Sequence, residues 1–149
     1  MDYNSGVVTP VSITYDTLEA WQAMDKVRFG IVGTGGMGRN HARMMQSVDE
    51  CVLTAVCDMV PQVAQEVGEE FGVPHFSDFR ELIDRDDVDA VLVATPHYQH
   101  PGIAIYAMEK GKAVVSEKPI AVTVSAADAM VEAAQRAGTP FSVMYQWRS

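Results

Sequence analysis

Val27-Arg28-Phe29-Gly30-Ile31-Val32-Gly33-Thr34-Gly35-Gly36-Met37-Gly38 is the stretch on which the fold of this chain turns. A compact apolar run ends at Gly33, and glycines at G-x-G-x-x-G spacing lead straight into a helix-period pattern. Similar apolar runs recur at residues 53–57, 88–94, 113–115 and 141–145, with a short edge strand expected at residues 75–76. They are rich in Val and lack clean alternation, the mark of strands buried on both faces. Between them, apolar stripes repeat at helical spacing. These are Met37, His41, Met44, Met45 and Val48; Val63, Val67 and Phe71; and Phe79, Leu82 and Ile83. Ile103, Ala104, Ala107 and Met108 form a fourth stripe, and Val124, Ala127, Val131 and Ala134 a fifth. Gly72, Gly111 and Gly138 stand where left-handed helix ends are expected, and Ser77 is the expected N-cap of the third helix. This alternation of strand and helix predicts an α/β fold, a doubly wound parallel sheet of about six strands in the order 3-2-1-4-5-6.

Residues 1–26 fall outside that alternation. Val11, Ile13 and Tyr15 alternate like a strand, and Asp16-Thr17-Leu18-Glu19 has the form of a capping box opening a short helix. An arm lying over the domain is expected here, with a swap onto a neighbouring subunit as the sharper alternative. The 149 residues are 48% apolar, enough for one packed core. Twenty acidic residues against 11 basic ones leave a net charge of -9, which argues against nucleic acid or an anionic membrane as partner. No apolar run approaches the ~20 residues of a membrane span, and Met1 to Thr9 carries no basic region of a secretory signal. Two cysteines, Cys51 and Cys57, make neither a disulfide framework nor a zinc quartet, so a cytoplasmic location is expected. Residues 66–89 hold nine acids and two bases and read as a solvated face.

Asp58 follows Gly38 by twenty residues and sits at the end of the second expected strand. Strand, glycine loop, helix start and distal acid together meet the requirements of a dinucleotide-binding fingerprint. Gly33 permits the tight turn, Gly35 lets backbone approach a pyrophosphate, and Gly38 lets the helix pack close to the sheet. The loop Gly33, Thr34, Gly35, Gly36, Met37, Gly38 is therefore a candidate cofactor cradle. A pyrophosphate there meets unpaired N–H groups and the positive end of the helix dipole. A carboxylate at Asp58 accepts from both ribose hydroxyls and repels a 2′-phosphate. Residues 59–62 offer no Arg or Lys to hold such a phosphate, so NAD is expected ahead of NADP. Arg39 is open to a phosphate contact or a surface role. His97 and His100, three apart, read as loop packing, and no metal is expected. Cys57 reads as a small core residue, and the Met44–Met45 pair as core packing.

With these residues in view, the sequence resembles the N-terminal half of the glucose–fructose oxidoreductase, inositol dehydrogenase and rhizopine-catabolism family. Four places carry the resemblance. They are Gly33 to His41 with Ala42-Arg43, Val56-Cys57-Asp58, Val93-Ala94-Thr95-Pro96 with His100, and Gly111-Lys112-Ala113-Val114-Val115-Ser116-Glu117-Lys118-Pro119. The likeness runs over about residues 27–148 and implies a Rossmann fold. It also implies that Thr95 and Pro96 lie along the nicotinamide half of the cofactor, that His100 is the histidine of that loop, and that His97 stands where the family commonly has Asn. Glu117 then matches the acid near the nicotinamide ribose. Lys118 matches the catalytic lysine at the substrate hydroxyl, a role that suits a cation at the carboxyl end of a central strand. A Glu117–Lys118 pair capping the loop is the plainer alternative for both residues.

The family's enzymes carry a second, larger α/β domain that supplies most substrate contacts. None of it lies in this sequence, so residues 27–149 are expected to be an isolated dinucleotide-binding domain. Its crevice would lack one wall and favour self-association, with a homo-oligomer as one result. The resemblance implies hydride transfer between NAD(P) and a sugar, a polyol or a related secondary alcohol. Two other classes fit one unit of this size. A stand-alone NAD sensor has no need of the E-K-P lysine, and a methyltransferase fits the glycine spacing less well than a pyrophosphate does.

Overall fold

A computed structural model describes residues 25–145. Most of the expected N-terminal arm, residues 1–24, lies outside the described residues. Six strands, β1 (Val27–Val32), β2 (Cys51–Cys57), β3 (His75–Phe76), β4 (Ala90–Val93), β5 (Ala113–Glu117) and β6 (Phe141–Met144), build one sheet. All pairings are parallel and the order is β3-β2-β1-β4-β5-β6, the doubly wound arrangement that the alternation predicts. Helices α1 (Gly36–Met45), α2 (Pro61–Phe71), α3 (Phe79–Ile83), α4 (His100–Glu109) and α5 (Val124–Ala137) connect them, with a 3-10 turn at His97–Gln99 before α4. β2 begins two residues earlier than expected, and β4 is shorter, because Val88 is buried ahead of the ladder without joining it.

Successive strand residues serve opposite layers. Ile31, Val56 and Leu92 pack with Ala42 of α1 and Val67 of α2. Val32, Cys57, Val91, Val93 and Val114 pack with α3, α4 and α5 through Leu82, Ile103, Met108 and Met130. Both faces are covered, which is why the strands read as unbroken Val- and Ile-rich runs. Gly72, Gly111 and Gly138 all hold positive φ at helix ends, as their places predict.

Three helix details depart from expectation. α1 buries Gly38, His41 and Ala42, whereas Met37 is 47% and Met44 56% exposed, so of the Met44–Met45 pair only half-buried Met45 packs against the core. The helix approaches the sheet through its smallest residues, and a Cβ at Gly38 would run into the carbonyl oxygen of Gly33. α5 buries Met130, Ala133 and Ala134, while Val124 at its first turn is 77% exposed. The N-cap of α3 is Asp78, not Ser77, and its side chain accepts from the Arg80 amide at 2.9 Å.

The acidic stretch is laced with ion pairs and is not a bare solvated face. Glu70 faces half-buried Arg39 at 3.0 Å and exposed Arg43 at 2.8 Å. Asp84 pairs with Lys110, Asp87 with Arg85, and Asp89 with Arg28.

Candidate functional site

The carboxyl ends of β1, β2 and β4 open onto a cleft of about 630 Å³, at the point where the strand order reverses. Gly33 stands at that switch point with φ +91, and its N–H donates to the Cys57 carbonyl at 2.8 Å. A Cβ there would lie 2.7 Å from the Ala94 carbonyl and the Thr95 amide, so the loop can run between β2 and β4 only with glycine. Gly35 caps α1 and faces open space, with nothing within 4 Å of a Cβ position.

The first helical bond of α1 runs from Arg39 N–H to the Gly35 carbonyl, and no side chain caps the helix. The amides of Gly36, Met37 and Gly38 therefore have no intrahelical acceptor. Across the cleft, Thr95 Oγ1 is buried without a hydrogen-bond partner in the fold. Open amides, an unfilled glycine face and an orphan hydroxyl fit a dinucleotide laid over the loop.

Asp58 lines the cleft and also braces the loop. Its Oδ2 accepts from the Thr34 amide at 2.9 Å and the Thr34 hydroxyl at 3.2 Å, and Oδ1 accepts from the Val60 amide at 3.0 Å. Thr34 is thereby turned inward and buried, off the cleft wall. Of the expected site residues, Gly33, Gly35, Asp58, Thr95 and Pro96 come together on the wall. Gly36, Met37, Gly38, His97, His100, Glu117 and Lys118 do not line it.

His100 is fully buried and joins two loops. Its Nε2 lies 2.8 Å from the Thr95 carbonyl, its Nδ1 3.1 Å from the Pro119 carbonyl, and Ser116 Oγ is 3.3 Å from Nδ1. His97 is exposed and meets it edge-on, with ring centroids 6.0 Å apart. Glu117 is also buried. Its Oε1 is 2.7 Å from His41 Nε2, and its Oε2 accepts from the Lys118 amide at 3.1 Å. The carboxylate thus ties the glycine helix to the turn at Lys118, whose peptide bond to Pro119 is cis and whose side chain is exposed. Cys57 lies in the core as expected, and burial pushes its thiol up to about 12.

The sequence missed the wall built by Met59, Val60, Ser77, Phe79, Arg80, Tyr98 and Gln99. One signal was present: in the order 3-2-1-4, the loop after the third strand must emerge beside Asp58. The Asp58 amide does donate to the Phe76 carbonyl at 3.1 Å. Asp58 and Arg80 are the only charged side chains on the wall among the described residues.

Comparisons agree with this geometry. Inositol 2-dehydrogenase of Salmonella typhimurium (strain LT2) is 32% identical over 115 residues, covering 75% of this chain and 34% of that protein. The WlbA dehydrogenase from Bordetella pertussis, solved with NADH and UDP-GlcNAcA, superposes with TM-score 0.79 at 35% identity, over 83% of this chain and 38% of that one. Biliverdin reductase from Synechocystis sp. PCC 6803, solved with biliverdin and NADP+, gives TM-score 0.76 at 29% identity, over 80% of this chain and 38% of that one. The chain therefore spans about a third of the length of these relatives. The family model described as an oxidoreductase family with an NAD-binding Rossmann fold matches residues 27–145, and the chain belongs to that family, named for glucose–fructose oxidoreductase, inositol dehydrogenase and rhizopine catabolism.

Proposed function

We propose that residues 27–149 are the dinucleotide-binding domain of an oxidoreductase that moves a hydride between NAD and a carbinol carbon of a sugar, polyol or related secondary alcohol. The observation that carries this reading is the convergence of Gly33, Gly35, Asp58 and Thr95 on one cleft at the strand ends. When bound, the cofactor supplies the nicotinamide carbon that accepts or returns the hydride. The open amides of Gly36, Met37 and Gly38 bind its pyrophosphate, with Thr34 held behind them by Asp58. Asp58 accepts from the adenosine ribose hydroxyls and gives NAD its lead over NADP.

Thr95, Pro96 and His97 flank the nicotinamide end. His100 holds that loop from below through the Thr95 and Pro119 carbonyls. Glu117 acts in the same way, fixing the backbone of Lys118, whose ammonium holds the proton at the reacting hydroxyl oxygen. Substrate contacts come largely from the part of the relatives that this chain does not span. The working partner is a small-molecule substrate, with a homo-oligomer as the assembled form. Two free, widely different thiols, half-exposed Cys51 and buried Cys57, suit a reducing cytoplasm.

Calorimetric titration with NAD and then NADP tests this reading. NAD is expected to bind more tightly, and Asp58→Ala to weaken NAD and erase the preference. Failure of the wild-type chain to bind either dinucleotide overturns the proposal.

A further inference from the structure

The two ring nitrogens of His100 both face carbonyl oxygens. Nε2 lies 2.8 Å from the Thr95 carbonyl and Nδ1 3.1 Å from the Pro119 carbonyl. A carbonyl oxygen only accepts, so each nitrogen must donate, and a neutral imidazole has a single N–H. Held to both carbonyls, the buried ring is an imidazolium. Ser116 offers it a second arrangement. Its Oγ is 3.3 Å from the same Nδ1 and donates to the Glu117 carbonyl at 3.2 Å. When Nδ1 has no proton, that hydroxyl can turn and donate to it, and the ring lets go of the Pro119 carbonyl. His100 thus has two hydrogen-bonded states that differ by one proton.

Its other neighbours leave that proton without a counter-charge. No carboxylate meets the ring among the described residues. His97 of the 3-10 turn stands edge-on to it, with ring centroids 6.0 Å apart. Glu117, next along β5, is turned to His41 and to the Lys118 amide, and the Lys118 side chain is exposed. His100 also opens α4, where the positive end of the helix dipole opposes a cation. Thr95, whose carbonyl takes the Nε2 proton, lines the cleft, so a charge on the ring sits directly behind the wall.

We propose that His100 is a positioning residue with two protonation states. Its added proton ties the Thr95 loop to the Pro119 turn, and the charge it brings turns the cleft from oxidised NAD toward NADH. The inference rests on the cofactor reading above, which puts the nicotinamide beside Thr95, and deepens it. The oxidised nicotinamide ring is a cation and the reduced ring is neutral, so a positive charge behind that wall repels only one of them. Where the ring is protonated NADH gains, and as the pH rises and the proton leaves, oxidised NAD recovers. By reciprocity, oxidised NAD promotes loss of that proton by the same factor.

Nitrogen-resolved NMR of the histidine rings in the free chain, with calorimetric titrations against oxidised NAD and NADH, tests this from about pH 5.5 to about pH 8. Toward the acid end both His100 ring nitrogens are expected to carry protons, and toward the alkaline end Nε2 alone. The Kd for oxidised NAD, divided by that for NADH, is expected to fall about fivefold over the same range. His100→Gln keeps an N–H donor but does not titrate, and is expected to flatten that profile. A merely structural role would weaken both forms by one factor at every pH. A His100 ring with a single proton throughout, a flat wild-type ratio, or a profile that survives in His100→Gln each overturns the inference. Should His100→Gln fail to fold, the ring spectrum and the wild-type ratio still decide. Absence of any dinucleotide binding overturns the cofactor reading and the discrimination with it, whereas a neutral ring in a chain that binds NAD overturns this inference alone.

Discussion

Glu117 shows how a residue can matter to a site without lining it. Both of its oxygens are used inside the fold, one toward His41 on the glycine helix and one on the Lys118 amide. The histidine of α1 and the acid of β5 are 76 positions apart, so no local pattern in the sequence joins them. His41→Ala leaves Oε1 buried without its partner, a loss of about 1–3 kcal/mol. A urea unfolding curve should show the lower midpoint, and Glu117→Gln, which keeps a hydrogen-bonding group in place, should cost less. An unchanged midpoint for His41→Ala would mean that the carboxylate finds another donor. Gly38 is the opposite kind of residue, important for what it lacks. Its Cα rests against the Gly33 carbonyl, and this contact holds the open amides of α1 over the cleft.

At the level of elements, the seam between β1 and β4 is pinned at its far end by Arg28 and Asp89. The Arg28 amide and Nε donate to Asp89 Oδ2 at 2.9 and 2.8 Å, and Nη2 donates to Oδ1 at 2.6 Å. The side-chain hydrogen bond to Arg28 is the main reason the Asp89 carboxyl is held below its ordinary value of 3.8, against the opposing effect of burial. A folded-state value lower than the unfolded one adds stability that is fully present above that ordinary value and is lost as the pH falls below it, through the lower folded-state value. Asp89→Asn is therefore expected to lower the urea midpoint at pH 7, with the gap to wild type closing below about pH 4. A gap that persists at acid pH would assign the effect to lost packing.

The order of these elements was legible because each parallel strand is buried twice and each crossover has one allowed hand. The faces of α1 and α5 were not, because hydrophobic periodicity weights Met44 and Val124 and overlooks Gly38, Ala133 and Ala134. Close packing selects the small residues. The glycine loop and Asp58 could be read for a similar local reason, since turn, helix start and strand end are each written in a few adjacent residues. Phe79, Arg80 and Tyr98 escaped because only the lateral order of the strands brings their loops to the same wall.

Among the described residues the molecule is two packed layers around one sheet, with a large cleft at the edge where both layers end. No helix among the described residues is long and apolar enough to cross a membrane. A ligand filling that cleft touches loops from β1, β2, β3 and β4 at once, so it binds only the assembled fold. Binding must then shift the unfolding equilibrium by mass action, about 2.7 kcal/mol at a ligand concentration one hundred times Kd. For a domain of this size that corresponds to a rise in Tm of roughly 10 °C. Far-ultraviolet circular dichroism reads the sheet and its helices directly. Melting the chain with and without saturating NAD should show one transition that moves upward as a unit. A transition that stays in place would mean that the loops of the cleft do not close on the dinucleotide, whatever their resemblance to those that do. A transition that splits would mean that the loops can melt apart from the sheet. Because the glycine turn is wedged between β2 and β4, the single shifted transition is the expected result.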